Sequence, residues 1–536
     1  MGLGKRRLTG ARGEAAYASR IQFVCGPLGQ LNLHLDFFNK VREGVMNRLE
    51  ASIFDSPVFS EIPSPQSVLD TRMGVRFVVT GPLHSGAWEG ACRVGDLSTL
   101  THEAERTAME THLHALEKSL SEYPLPPEVE LVEPTIVASW AQGGDPDIRL
   151  PEAQLEALAA KDEETDVYVV THPFEGVRIA ERYRKPVIIL QEAGWAVDMP
   201  ARIRSLGLES FHAENLDAVF RFVRVLKAKK ALRQTKLLSV TNFPGRSPWG
   251  VVSGIEDLEK LKERYGLDCE VLDYPAFFGE MDEIVADATI KQQAAVIANL
   301  LMQRATHNTM TKEDIVQSVL FYLAVRKVMA ERGANAFTIE CFELCTSLET
   351  WRRRFTPCLT HALLKDEGYP SVCEGDINVF LAMALEMYLS RKAVYMGNPT
   401  VHKETDVLNI HHSVASLKLA GIDGPDSPYN IFNFTAAGFG VTLRHDFNRD
   451  RGQPVTVGRF DPSGTRMLLT RGKVIGGGGL TGLNCAQNVD ILLPDGYEFW
   501  RESQNFGHHL AVVYGDYVNQ FRDLSEIMGF ELVAIV

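Results

Sequence analysis

No apolar run approaches the roughly 18 residues that a membrane-spanning helix needs, so no segment of this sequence is expected to cross a bilayer. Cationic charge is in deficit: 55 Lys and Arg stand against 69 Asp and Glu, a formal charge of -14. That balance argues against a nucleic-acid or anionic-membrane surface and leaves small molecules and copies of the chain itself as expected partners. Cysteine is sparse, at Cys25, Cys92, Cys269, Cys341, Cys345, Cys358, Cys373 and Cys485, with no CxxC pair. Such thin usage excludes a disulfide framework and suits a reducing cytoplasm, the expected location. The four cysteines from 341 to 373 are separated by 3, 12 and 14 residues with apolar flanks, and read as small buried hydrophobes instead of zinc ligands. Internal repeats and low-complexity segments are absent. The basic start, MGLGKRRLTGARGEAAYASR, has no apolar core behind its charges, so residues 1–20 are expected to be a mobile tail and not a secretory signal. Two motif-like strings lack what their chemistry requires. The string GGGGL at 476–480 has no Lys-Ser or Lys-Thr to hold a phosphate, and LHSGAW at 83–88 has no nucleophile-elbow glycines.

What is present is an ordinary globular composition, 45% hydrophobic and 23% charged over 536 residues, too long for one core. The first half alternates short β-branched runs (21–28, 75–81, 129–137, 166–172 and 185–192) with segments of helical period such as 39–51 and 102–120. Strand, helix, strand in succession implies a parallel sheet with helices on its faces, and we assign 21–235 to a first doubly wound α/β domain. After the basic, loop-like AKKALRQT, KLLSVTNF starts a second α/β domain, 236–390. It contains a helix over 257–265, the strand CEVLDYP, and a helical tract over 283–332 that is broken near 307–311. AFTIECFEL and helices over 358–366 and 377–390 complete it. From 391 to 536 glycine is frequent, helices nearly vanish and alternating strands appear, ending in a helix over 517–528 and the strand ELVAIV. This is expected to be a β-rich, antiparallel, barrel-like domain.

Candidate chemistry gathers around CEGD, 373–376. Glu374 lies between apolar residues and a helix start, so its carboxylate is expected to be partly buried and to need a cation, a donor or a metal. Asp376 is placed to cap the helix that follows. Glu340 ends a strand, where ligands of parallel sheets gather. Two histidine pairs, His411-His412 and His508-His509, each offer one ring to a given pocket, because neighbouring side chains on a strand point opposite ways. Imidazoles with carboxylates suit manganese, zinc or a similar divalent ion.

The runs AFTIECFEL, CLTHALLKDEGYPSVCEGD, KAVYMGNP, FGVTLR, VTVGRF and GHHLAVVYGD together resemble the L-fucose isomerase and L-arabinose isomerase superfamily. The resemblance covers the second and third domains; the first is similar only in its α/β character. It implies two α/β domains with a β-rich C-terminal domain, and a manganese-dependent conversion of an aldose to its ketose in symmetric trimers or hexamers. By position, Glu374 looks like the family's metal-binding glutamate, which also moves protons, and His509 like its C-terminal histidine ligand. His411 or His412 falls where arabinose-type enzymes have another histidine, and His411, His412, His508 and Glu340 are expected to contact substrate. Asn398, in KAVYMGNP, stands where relatives commonly carry an aspartate that binds the metal and acts as acid or base. An amide can ligate but cannot shuttle a proton, a function worth roughly 100- to 10,000-fold. Asp376, Glu340 and Glu404 are the carboxylates near in sequence that could substitute. The alternatives are the same metal and enediolate chemistry turned to carbon-carbon cleavage or epimerisation, and a sugar-binding homologue without catalysis.

Overall fold

The computed structural model describes residues 52–84, 101–141, 152–171, 173–192, 194–243 and 250–536. The expected tail at 1–20, the strand at 21–28 and the helix at 39–51 lie outside the described residues.

The first strand set is β1 (Met73–His84), β2 (Val129–Ala141), β3 (Val167–Val170), β4 (Val187–Leu190) and β5 (Ser210–Ala213). They form one sheet in the order β2-β1-β3-β4-β5, every pairing parallel. Between them runs α1 (His102–Glu122), and α2 (Leu216–Arg233) follows. Val167 to Val170 are buried without alternation, because a parallel sheet covered on both faces has no polar side. Separate apolar clusters occupy its two faces.

The next strands are β6 (Lys236–Val240), β7 (Asp268–Leu272), β8 (His307–Asn308), β9 (Ala336–Ile339) and β10 (Ser371–Cys373). All but β8 join a four-stranded parallel sheet in the order β10-β9-β6-β7. The helical tract resolves into α3 (Tyr274–Ala286), α4 (Ala288–Arg304) and α5 (Lys312–Arg332), interrupted where expected by β8. Then come α6 (Cys341–Thr346), α7 (Cys358–Asp366) and α8 (Ile377–Ser390).

The C-terminal strands are β11 (Tyr395–His402), β12 (Val407–His411), β13 (Tyr429–Asn433), β14 (Val441–His445), β15 (Pro454–Phe460), β16 (Arg466–Gly478), β17 (Asn488–Leu492), β18 (Leu510–Tyr514) and β19 (Glu531–Ile535). Hydrogen-bonded neighbours run β15-β18-β11-β12-β17-β16, and β16 pairs again with β15, so six antiparallel strands close into a ring. β13, β14 and β8 form a separate small sheet.

Several details depart from expectation; β5, for one, falls in none of the strand runs read from the sequence. AKKALRQT is not a loop: α2 continues to Arg233, with Ala228, Ala231 and Leu232 fully buried. Ala, Lys, Leu and Arg are good helix formers, and the string's charge concealed that. β19 adds to β16 in parallel, not antiparallel. The C-terminal region also holds a further helix, α9 (Gly496–Ser503), capped by Asp495, whose carboxylate accepts the Glu498 N–H at 2.8 Å.

The element that positions the site is α8. Every residue from Ile377 to Leu389 is buried, as befits a helix that is apolar on all sides but for Asn378 and Glu386. One apolar cluster joins it to Val372 and Cys373 of β10 on one side and to Met396, Phe460, Met467, Leu469 and Ala511 of the C-terminal strands on the other. At about 1.5–3 kcal/mol for each large apolar side chain removed from water, this packing holds the carboxyl edge of the β10-containing sheet firmly against the ring. α10 (Val518–Met528) closes over α2.

Candidate metal centre

Between β10 and α8 the chain reverses in two residues. Glu374 and Gly375 have φ of +63° and +65°, the left-handed region. A non-glycine residue there costs about 1–2 kcal/mol, and such strain gathers where a side chain must be aimed. His509, just before β18, is likewise at φ +61°. Both turns aim their side chains into one buried spot, which His412 reaches from the end of β12. One ligand atom from each of Glu374, His412 and His509 lies within 4.8 Å of the others, and all three residues are buried.

The contacts are directional. His412 Nε2 sits 3.2 Å from Glu374 Oε1. His509 Nε2 is 3.4 Å from Glu374 Oε2, and its Nδ1 is 2.9 Å from Asp376 Oδ2. Asp376 caps α8, accepting the Val379 N–H at 3.1 Å. The same Oδ2 also accepts from Arg459 Nη1 at 2.6 Å, with both side chains wholly buried. Arg459 in turn donates Nε–H to the Phe506 carbonyl at 2.7 Å, fixing the loop that leads to His509.

Burial opposes charge on Glu374, yet His412 and His509 hold its carboxyl well below the usual range. For Asp376 burial is again outweighed, by Arg459 and His509, leaving it at about 2. His509 is held up at about 9, Asp376 and Glu374 overcoming its desolvation. His412 is lowered because burial exceeds the pull of Glu374.

The donor set fits a divalent cation. His509 Nε2, buried and 3.4 Å from Glu374 Oε2, makes no well-aligned hydrogen bond there, a cost of about 1–3 kcal/mol that a bound cation would remove. In addition, Asp376 orients the second nitrogen of His509 as carboxylates behind metal-binding imidazoles do. Two imidazoles and a carboxylate accept manganese, zinc or iron.

The other expected site residues fall around this centre. His411 is half-buried and pairs with Asn398 across the β11–β12 ladder; burial and then the charge of His509 lower its pKa. Asn398 is half-buried too, two residues beyond Met396, whose Sδ accepts the Cys373 N–H at 3.3 Å. The His508 ring lies 4.3 Å from that of His509, and burial and then His509 push it down to about 4. Glu340 is buried behind Gly375, where an added Cβ would meet Glu340 Cγ at 3.6 Å, and its carboxylate caps α6 at the Glu343 N–H. Glu404, by contrast, is exposed in the turn between β11 and β12, beyond the His402–Val407 pair, which is itself four rungs and thus about 13 Å along the ladder from Asn398–His411. It does not substitute at the centre.

Sequence reasoning missed Arg459 and two thiols, Cys341 and Cys373, each of which offers a sulfur within 4.8 Å of a Glu374 oxygen. A lone arginine among the apolar residues of VTVGRF was the available signal, since a buried guanidinium demands a partner.

No family model and no curated protein matches the chain. Among solved structures, an ABC transporter periplasmic solute binding protein from Actinobacillus succinogenes with bound D-allose is 13% identical over 52% of this chain and 83% of that chain, at a TM-score of 0.13. A likeness of that size carries no argument.

Proposed function

We propose that the protein is a divalent-metal-dependent enzyme that interconverts an aldose and a ketose through an enediolate, with Glu374, His412 and His509 holding the ion. The observation that supports this reading is the convergence of those three side chains, from the turns adjoining β10, β12 and β18, on one buried spot. The ion, proposed to be Mn2+, would polarise the sugar oxygens on which charge develops.

Around it the chain's own groups have separate tasks. Glu374 binds the cation and takes one proton in the transfer. Asp376, already shared between Arg459 and His509, is a positioning residue and leaves the proton work to others. Asn398 supplies an amide where the family reaction wants an acid. Glu340, buried behind Gly375, is the carboxylate we assign to the second proton. His411 and His508, half-buried and neutral, face the sugar. The same reading carries a symmetric trimer or hexamer and a cytoplasmic location.

A second reading, the same enediolate turned to cleavage or epimerisation, is favoured by one observation: position 398 is an amide and Asp376 is locked in an ion pair. A panel of aldoses, ketoses and acidic sugar derivatives, assayed with Mn2+, separates the two by product. Isomerised sugar supports the first reading, smaller fragments or epimers support the second, and metal binding without turnover of any sugar contradicts both.

A further inference from the structure

Glu374 belongs to two clusters at once. Besides the two histidines, it is grouped with Cys341 and Cys373, one sulfur from each lying within 4.8 Å of the other and of a Glu374 oxygen. Cys373 is the last residue of β10 and Cys341 opens α6 directly after β9. Those strands are hydrogen-bonded neighbours, with Cys373 opposite Ile339, so the sheet itself sets the thiols side by side. Both are free. Cys373 is buried and Cys341 is half-buried.

We propose that Cys341, Cys373 and Glu374 form a second cation position, selective for thiophilic ions such as Zn2+ and Cd2+, that shares its carboxylate with the histidine position. Two sulfurs and one oxygen are a soft donor set, favouring zinc-group ions over manganese, which prefers oxygen and nitrogen. Binding exchanges the two thiol protons, released to solvent, for two metal–sulfur bonds. Because Glu374 serves both positions, a thiophilic ion draws it away from the histidines, and such ions act as inhibitors of whatever chemistry the centre performs. That inhibition rests on the reading of the histidine centre given above; binding at the thiols does not.

The test titrates metal-free protein with cadmium chloride and follows the ultraviolet thiolate-to-cadmium charge-transfer absorption, alongside Mn2+ binding by calorimetry. The expected result is one Cd2+ per chain carrying the band in the wild type. Cys341→Ser, at the half-buried member, should abolish the band while Mn2+ binding persists. Cys345→Ser, the exposed neighbour in the same helix, should keep the band. His412→Ala should lose Mn2+ yet retain the band, which separates failure of this proposal from failure of the histidine centre. Cys373→Ser is expected to match Cys341→Ser; should it not fold, Cys341→Ser alone decides. Cadmium bound without a thiolate band, or a band undiminished in Cys341→Ser, overturns the proposal.

Discussion

One oxygen, Asp376 Oδ2, serves both Arg459 Nη1 at 2.6 Å and His509 Nδ1 at 2.9 Å. The helix cap, the buried ion pair and the aim of the imidazole are therefore one arrangement, and a change in any member is felt by the others.

Asp376→Asn tests the positioning role. Asparagine caps a helix as well as aspartate does, so α8 keeps its start, while His509 loses the charge that orients it. Divalent-metal affinity is expected to fall about 10- to 100-fold, the usual effect of removing a carboxylate behind an imidazole ligand. Calorimetry measures it; unchanged affinity would place His509 outside the coordination sphere.

Arg459→Met removes a cation and leaves Asp376 buried without its ion-pair partner. The expected destabilisation is about 3–5 kcal/mol, read from urea unfolding of the metal-free protein. A loss below about 1 kcal/mol, the range of exposed pairs, would show that water reaches Asp376.

The pH dependence of stability has a definite sign. His509 has its folded pKa raised from 6.5 to about 9, so its contribution is complete below 6.5 and lost as pH rises through 9. Asp376 is lowered from 3.8 to about 2, so its contribution is complete above 3.8 and lost as pH falls through 2. The metal-free protein should therefore lose Tm between pH 6.5 and 9, and His509→Gln should flatten that limb. An equal slope in the variant would assign the loss to other groups.

Gly375→Ala separates space from backbone. An added Cβ meets nothing closer than 3.6 Å, yet φ is +65°. The cost should therefore be that of a left-handed alanine alone, about 1–2 kcal/mol, with a parallel drop in metal affinity because Glu374 shares the turn.

Asn398→Asp returns a proton-carrying group to the β11–β12 ladder opposite His411. Aldose-ketose exchange should rise, by up to about 100-fold or more if proton transfer limits the reaction. A variant that binds Mn2+ as the wild type does but gains on no aldose would remove Asn398 from the chemistry.

Much of this was legible in the sequence. Strand placement in the two parallel sheets followed from β-branched runs except at β5, whose SFHA contains no β-branched residue, and α7 and α8 followed from mainly apolar helical stretches bounded by polar turns. Glu374 stood out because a carboxylate between Cys373 and a helix start must find a partner. Composition misled at AKKALRQT, where charge obscured helix propensity, and at 391–536, where frequent glycine hid α9. What spacing along the chain could not supply was the choice within each histidine pair. His412 and His509 are selected by where β12 ends and β18 begins, a register set by pairing with strands distant in sequence. The partners of Arg459 and of the adjoining thiols were hidden for the same reason, since they lie 83 residues away in one case and across a sheet in the other.

The most direct measurement is metal stoichiometry of the purified protein after dialysis against Mn2+, compared with Glu374→Ala, His412→Ala and His509→Ala. One tightly bound ion per chain in the wild type, lost in each of the three folded variants, is the predicted result. Retention of that ion when all three side chains are removed together would place any metal elsewhere and contradict the centre described here.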